Sequence, residues 1–115
     1  MLPIKRRVKK ESFEKIMKDG VFLHSVNFYI RYFNRKDDLP SRFAFIVPAK
    51  VMKTSVGRHL IKRMMTAGVE KKLPAIKQGV SCIFFIKKDI SAFSTSEIGK
   101  EIVAILEKAK LLNGN

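Results

Sequence analysis

A run of basic side chains stands out between residues 55 and 67 of the chain. On a helical wheel, one half of this segment carries the polar residues Ser55, Arg58, His59, Lys62, Arg63 and Thr66. The other half carries the small and apolar residues Val56, Gly57, Leu60, Ile61, Met64, Met65, Ala67 and Gly68. This separation predicts a helix with one face packed on a core and a cationic column facing solvent. Guanidinium and ammonium groups in such a column can bind phosphates.

The charge around this helix has one sign. No acidic residue lies between Leu39 and Val69, whereas six basic residues do: Arg42, Lys50, Lys53, Arg58, Lys62 and Arg63. A solvated helix face normally mixes signs, because Glu–Lys pairs four residues apart stabilise it. An ordinary solvated basic face is one interpretation, but it does not explain why the like charges at positions 58 and 62 are placed where they repel each other. A polyanionic partner does explain this placement, since phosphates neutralise the column and release counterions.

The whole chain shares this bias. It has 115 residues, with 24 Lys and Arg against 10 Asp and Glu, a net charge of +14 and a pI near 10.2. Hydrophobic residues make up 46%, which is enough for a real core. The length suits one domain over residues 1–115. A small basic domain indicates nucleic acid as partner.

Other classes of chemistry find little support. His24, His59 and Cys82 share no metal-ligand spacing, and the ten acids are scattered, so we predict no metal site and no catalytic residue. The single cysteine is typical of a reducing compartment, and its place in an apolar run predicts a buried thiol. No apolar run approaches the roughly 20 residues that span a bilayer. We therefore expect a cytoplasmic protein without a membrane partner.

The elements that position the cationic helix can be read from the pattern. A first helix is predicted from about Ser12 to Lys18, and strands at 26–33 and 42–47, with residues 34–41 as a hairpin loop between them. The stretch from Lys50 to Met52 is a candidate third strand. These strands precede the cationic helix.

Two elements follow the cationic helix. Residues 80–86 are apolar at nearly every position, which predicts a strand covered on both faces. Ser94 and Glu97 form a capping-box pattern that opens a last helix. Its apolar stripe consists of Ile98, Ile102, Ile105, Leu106 and Ala109. The predicted order is α-β-β-β-α-β-α, an α+β domain with helices covering a small mixed sheet.

The segment Arg58-His59-Leu60-Ile61-Lys62-Arg63 resembles the R-N-x-x-K-R signature of the bacterial ribonuclease P protein. The similarity extends along the chain, in order, through Leu2-Pro3 with Arg7-Val8, residues 13–20, Phe28, residues 47–51, residues 83–88 and residues 94–97. The chain departs from the family pattern at His59, in place of the usual Asn, and at Met17, Arg31 and Thr66-Ala67. We interpret it as a divergent member.

The resemblance implies a fold and a set of partners. The fold would be that of the second domain of ribosomal protein S5, with a left-handed strand–helix–strand crossover around the signature helix. Family members bind a large catalytic RNA, which hydrolyses precursor tRNA with Mg²⁺ that the RNA itself mainly binds. The protein supplies no catalytic group and requires no protein partner. The expected function is therefore that of a ribonuclease P subunit assisting 5′ maturation of tRNA.

The resemblance also assigns residues to two RNA surfaces. The ribozyme RNA would contact the residues on and before the signature helix, which are Lys53, Ser55, Arg58, His59, Lys62 and Arg63. The single-stranded 5′ leader of precursor tRNA would lie in a cleft between the first helix and the sheet. Its contacts would come from Arg7, Phe13, Tyr29, Arg31 and Lys50. Phe13 is the candidate for stacking on a base, although Phe13 with Ile16 is equally an ordinary core pattern.

Two other functions remain open from the sequence. A small structural RNA-binding protein of the ribosomal type explains the charge equally well, but not the ordered matches. A free-standing protein nuclease needs clustered carboxylates or a histidine acid–base pair, and we can assemble neither.

Overall fold

The structure, a computed structural model, describes residues 2–113. Within these residues it contains three helices and four strands in the order α1, β1, β2, β3, α2, β4, α3. Their bounds are α1 Phe13–Asp19, β1 Val21–His24, β2 Phe28–Asn34, β3 Arg42–Ile46, α2 Ser55–Glu70, β4 Val80–Ile86 and α3 Thr95–Lys108. Short 3-10 turns lie at Ile4–Arg6, Lys10–Ser12 and Leu73–Ala75. The predicted α+β class and order of elements are confirmed.

The four strands form one mixed sheet in the order β1-β2-β4-β3. β2 is antiparallel to both β1 and β4, with Ile30 opposite Leu23 and Phe84. β3 is parallel to β4, with Phe45 opposite Phe84. The chain passes from β3 through α2 to its parallel neighbour β4, so α2 is the crossover helix. The left hand of this crossover stays a prediction.

The main core lies between one face of the sheet and helices α2 and α3. The sheet contributes Phe28, Ile30, Phe43, Cys82, Phe84 and Ile86. The helices contribute Ile61, Met64, Met65 and Val69 from α2 and Ile98, Ile102, Ile105 and Leu106 from α3. All five residues of the stripe predicted for the last helix, including Ala109, are buried. The predicted burial of Met64, Met65 and Cys82 is also confirmed.

Helix α1 covers part of the opposite face of the sheet. The Arg31 guanidinium of β2 donates to the Met17 carbonyl at 3.2 Å, and the Lys15 ammonium lies 5.6 Å from the centre of the Phe33 ring. Ile16 of α1 and Ile83 of β4 are 1% and 0% exposed. Because Ile83 alternates with the core residues of β4, these contacts place α1 across the face away from α2 and α3.

Three strand predictions need correction. Residues 50–52 are not a strand, because the Pro48 carbonyl accepts from the amides of Val51 and Met52 and closes a turn. Instead, the sheet has a strand that the sequence did not predict, β1, a short segment that follows directly on Gly20. The strand predicted at 26–33 is β2, and it begins at Phe28 because Val26 lies 68% exposed in the turn between β1 and β2.

The predicted hairpin at residues 34–41 is also wrong. β4 lies between β2 and β3, so this segment crosses the end of the sheet instead of joining paired strands. Arg35 fixes it by donating to Asp37 at 2.9 Å, to the Pro40 carbonyl at 2.9 Å and to the Ser81 hydroxyl at 2.8 Å. The Arg35 guanidinium holds the pKa of Asp37 below its usual range.

Candidate RNA interface

Helix α2 presents the predicted cationic column. Lys62 and Arg63 are exposed with His59, and Ile61, Met64 and Met65 pack into the core. Thr54 caps the first turn by accepting from the Gly57 amide at 3.0 Å. The helix thus begins at Ser55, as the polar pattern indicates, and it continues beyond residue 67 to Glu70.

Three residues of α2 lie differently from the wheel. Val56 and Leu60, assigned to the packed half, are 82% and 38% exposed, whereas Thr66, assigned to the solvent half, is 8% exposed. Thr66 lines a groove together with Leu2 and Arg7 of the N-terminal segment. The exposed surface of α2 therefore includes apolar side chains beside its cations.

A groove of about 230 Å³ runs between this face of α2, the edge strand β3 and the N-terminal segment. We call it the cationic groove. Its lining includes Phe13 and the basic side chains Arg7, His59, Lys62 and Arg63. The extended backbone at Arg7 pairs with Phe43 of β3, and the Val8 amide donates to the Phe43 carbonyl at 3.2 Å. This pairing holds the N-terminal segment beside α2.

The cations of the groove have no counterions among residues 2–113. The ion pairs within residues 2–113 are Lys15–Asp19 and Arg35–Asp37, and both lie away from the groove. Lys62 and Arg63 thus keep their full set of donors for a ligand. An anion with several phosphates would neutralise them without displacing a protein carboxylate.

Arg58 has a different environment from the rest of the column. Its guanidinium turns back along the helix and donates to the carbonyls of Met52 and Lys53, both at 2.9 Å, and to the Ser55 hydroxyl at 3.3 Å. The side chain therefore ties the β3–α2 connection to the helix. Its charge stays at the surface, but its geometry is already set by the protein.

The remaining residues assigned to the two RNA surfaces spread around this helix. Lys50 and Lys53 are exposed in the segment between β3 and α2, and Ser55 is exposed at the first position of α2. Lys50 therefore lies on the same connection as Lys53 rather than on the sheet face with Tyr29.

Apart from Lys50, the predicted leader residues divide between two places. Arg7 and the half-buried Phe13 lie in the cationic groove. Tyr29 and Arg31 lie on the sheet face that carries α1, where Arg31 sits 5.1 Å from the centre of the Phe22 ring. The Arg31 Nε is buried and has no hydrogen-bond partner among the described residues.

Sequence reasoning missed three ring-bearing residues beside Tyr29. Phe22 and His24 of β1 and Phe85 of β4 form with Tyr29 a cluster that we call the aromatic face. Tyr29 stacks on Phe85 at 4.7 Å and lies 5.0 Å from Phe22, and His24 meets Phe22 edge-on at 4.5 Å. The period-2 spacing of Phe22 and His24 was the available signal, but four residues after a glycine are too few to establish a strand.

A carboxylate from α3 fixes the turn that carries this cluster. Glu101 accepts from the Asn27 amide at 2.9 Å, from the Asn27 side chain at 2.7 Å and from the Ser25 hydroxyl. These bonds join the β1–β2 turn to α3. The position of Tyr29 and His24 is thereby coupled to the core.

None of the helices within residues 2–113 is long and apolar enough to cross a lipid bilayer.

Cys82 is fully buried, and desolvation raises the pKa of its thiol far above the usual range. Partial burial of the Tyr32 side chain likewise raises its pKa. A protonated, inaccessible thiol is chemically inert.

The fold and the surface define a class: a small basic α+β protein with an exposed cationic helix beside a groove. Comparison with known families makes this class specific. The family model described as Ribonuclease P matches residues 2–110. The chain therefore belongs to the ribonuclease P protein family and is a protein subunit of that tRNA-processing enzyme.

Relatives in several bacteria cover most of the chain. The ribonuclease P protein component of Pseudanabaena is 28% identical over 116 residues, an alignment that covers 100% of both chains. The component of Microcystis aeruginosa is 30% identical over 76 residues, covering 66% of this chain and 63% of the relative. The component of Lactobacillus johnsonii is 25% identical over 108 residues, covering 93% and 88%.

Solved structures show the same fold. The RNase P protein of Staphylococcus aureus superposes with a TM-score of 0.82 at 22% identity, covering 96% of this chain and 100% of that one. The RNase P protein of Thermotoga maritima gives a TM-score of 0.79 at 19% identity, covering 89% and 96%.

Proposed function

We propose that this chain binds the catalytic RNA of ribonuclease P through α2 and the cationic groove, and that it contacts the 5′ leader of precursor tRNA. The observation that carries the proposal is the exposure of Lys62 and Arg63, without counterions among the described residues, on a helix whose opposite face packs into the core. Membership of the ribonuclease P family favours this function over a structural role in another ribonucleoprotein.

Each residue of the surface has a physical task in this proposal. Lys62 supplies a mobile point charge, whereas the planar fork of Arg63 suits bidentate contact with a phosphate. His59 can donate to a phosphate or a 2′-hydroxyl, which preserves part of the hydrogen-bonding capacity of an Asn. Ser55 and Lys53 extend the contact towards the start of the helix. Arg58 holds the connection in place and adds charge.

The proposal assigns the chemistry to the RNA. Residues 2–113 contain no group of three or more His, Cys, Asp or Glu side chains that could hold a metal ion, so they do not fit a resident Mg²⁺ site. We place Mg²⁺ on the RNA partner and derive no step through protein ligands. No further protein partner is needed in this scheme, and we propose that the particle works in the cytoplasm.

A cleavage assay tests this function. Precursor tRNA is incubated at low Mg²⁺ with the protein, with a bacterial ribonuclease P RNA, or with both. We expect no 5′ cleavage by the protein alone and faster cleavage by the RNA with protein than by the RNA without it. Equal rates with and without protein would favour the purely structural role, and cleavage by the protein alone would reveal a nuclease.

The leader contact needs its own test, because its two predicted aromatic residues, Phe13 and Tyr29, lie in different places. Phe13→Leu and Tyr29→Leu each keep an apolar side chain and remove a flat ring. Loss of a stacked base costs about 1–3 kcal/mol. The substitution that removes the ring on which a leader base stacks should therefore weaken precursor tRNA binding by roughly tenfold. The readout is affinity of the assembled holoenzyme for precursor over mature tRNA.

The pair of variants distinguishes the two surfaces. If only Phe13→Leu lowers the ratio, the leader follows the cationic groove. If only Tyr29→Leu does, the leader crosses the aromatic face with Arg31 as a neighbouring cation. If neither changes the ratio while both lower thermal stability, these rings serve packing and the leader proposal is wrong at both positions.

A further inference from the structure

A second groove lies between the C-terminal end of α2 and helix α3. It has a volume of about 500 Å³, and it shares no lining residue with the cationic groove within the described chain. Three lysines line it: Lys71 and Lys72 just after α2, and Lys100 in the second turn of α3. We call it the lysine groove. Two chain segments distant in sequence thus bring three ammonium groups to one depression.

The charge of the lysine groove is unbalanced. All three lysines are exposed, and none of them takes part in an ion pair within residues 2–113. Among the described residues, Glu107 is the one carboxylate in the lining. Glu97 lies near Lys100, but its carboxylate already accepts from the Ser94 amide at 3.0 Å. The groove therefore has a net positive charge, and its ammonium groups can donate to a ligand.

The two glycines in the lining have different surroundings. A Cβ at Gly68 would lie 2.5 Å from the Ile102 side chain, so α2 packs closely on α3 at the base of the groove. A Cβ at Gly99 would meet nothing within 4 Å. Gly99 therefore leaves space in the groove that a side chain would otherwise occupy, although glycine is less favourable than alanine inside a helix. The helix backbone at this point stays accessible to a ligand.

We propose that the lysine groove is a second docking surface for RNA, where Lys71, Lys72 and Lys100 bind the phosphate backbone. This inference rests on the proposed function, since it takes the RNA bound by α2 as the occupant. Charge complementarity favours RNA, because the lining carries three ammonium groups against the carboxylate of Glu107. An RNA that contacts both grooves would hold α2 from two sides.

Directed cleavage from single cysteines tests proximity. Gly99→Cys has room for an added side chain, and Cys82 is fully buried, so the new thiol is the reactive one in the native chain. Iron-EDTA tethered to Gly99→Cys should cut a discrete segment of a bacterial ribonuclease P RNA. Ser55→Cys, at the start of α2, should cut a different segment, and Asp38→Cys, in the β2–β3 connection, is the control for a surface without RNA.

The outcomes separate the two proposals. Cutting from Ser55→Cys without cutting from Gly99→Cys overturns the lysine groove and leaves the proposed function standing. No discrete cutting from either position contradicts the proposed contact with α2 itself. Cutting from Gly99→Cys at a segment of its own supports the second surface.

Salt dependence measures the contribution of the charges. The triple substitution of Lys71, Lys72 and Lys100 to Ala should lower the slope of log affinity against log salt by about one unit for each phosphate that these lysines neutralise. Substituting the same lysines by Arg should retain the slope. A charge-matched control replaces Lys77, Lys88 and Lys108, which line neither groove, with Ala. Equal slopes for the groove and control triples would show that the lysine groove binds no phosphate, which overturns the proposal. An acidic protein would then be the alternative occupant of the groove.

Discussion

Helices α2 and α3 pack on the same face of the sheet, but their first turns are built differently. α3 begins with a complete capping box, in which Ser94 and Glu97 exchange hydrogen bonds, and Glu97 lies near the positive end of the helix dipole. α2 begins with the Thr54 cap alone, has no acidic residue in its first turn and places Arg58 close to the same end of its dipole. α3 follows the rules that stabilise a helix, whereas α2 departs from them.

The departure is confined to the solvent side of α2. Its buried side, with Ile61 and Met65 at 0% exposure, is as well packed as that of α3. A helix that satisfies its core but accumulates cations of one sign at its surface is expected where that surface serves a ligand. The two sides of α2 thus separate residues needed for folding from residues available for RNA.

The largest effect is expected from removing two cations of α2. Lys62→Ala with Arg63→Ala should weaken binding to a bacterial ribonuclease P RNA by about a hundredfold, since one charge-assisted contact contributes about 1.5 kcal/mol, or roughly tenfold. Thermal stability should change little, because both side chains are exposed. Equilibrium binding at fixed salt and a melting curve give the two numbers. Lys77→Ala with Lys88→Ala is the charge-matched control, and equal weakening by both pairs would contradict a specific surface.

Arg58 should behave unlike its neighbours. Arg58→Ala removes the donor to two carbonyls of the β3–α2 connection, so the free energy of unfolding should fall by about 1–2 kcal/mol. Arg58→Lys should recover only part of it, since a single ammonium cannot replace both Nη1, which donates to the two carbonyls, and Nη2, which donates to Ser55. Urea denaturation measures this, with Lys62→Ala as the comparison. An Arg58→Ala variant as stable as Lys62→Ala would make Arg58 a simple member of the column.

On α3 the expected pattern is reversed. Ser94→Ala removes the side-chain acceptor of the capping box and should cost about 1 kcal/mol of stability, while RNA affinity stays unchanged. The same binding and denaturation measurements apply. A loss of RNA affinity in this variant, at a temperature where it remains folded, would show that the start of α3 is more than a structural cap.

The smallest effect is expected on the stability of the fold at acidic pH. Hydrogen bonds from Ser94 hold the pKa of Glu97 below its usual range, so the folded state favours the ionised carboxylate. The resulting stabilisation is present above the unfolded pKa of about 4.3 and is lost as the pH falls through the lower folded value. Glu97→Gln should therefore flatten the pH dependence of unfolding below about pH 5. An unchanged acid limb would mean that the carboxylate adds nothing as an ion.

Much of the fold follows from local patterns. The apolar run of β4 and the capping box of α3 lie where the sequence predicts them, because both depend on residues close together in the chain. The position of β4 between β2 and β3 does not, since strand order is set by long-range pairing. That is why residues 34–41 resemble a hairpin loop but connect strands that are not neighbours.

The candidate RNA interface, like the fold, could be predicted from the sequence where it depends on local patterns and not where it depends on long-range contacts. The wheel finds the exposed cations of α2, because burial of one helix face leaves the other to solvent. It cannot find the bonds from Arg58 to Met52 and Lys53, which depend on the path of the preceding turn. Nor can it find the burial of Thr66, which is 8% exposed although the wheel places it on the solvent half. The aromatic face likewise arises only when β1, β2 and β4 pair.

The salt dependence of RNA binding tests the central claim most directly. The affinity of the unmodified chain and of the Lys62→Ala, Arg63→Ala variant for a bacterial ribonuclease P RNA is measured across a salt series. We predict that log affinity falls linearly and steeply with log salt, and that the variant has a slope smaller by about two units, one for each phosphate that Lys62 or Arg63 neutralises. An affinity nearly independent of salt, or equal slopes for the two proteins, would contradict the claim that the cations of α2 bind RNA phosphates.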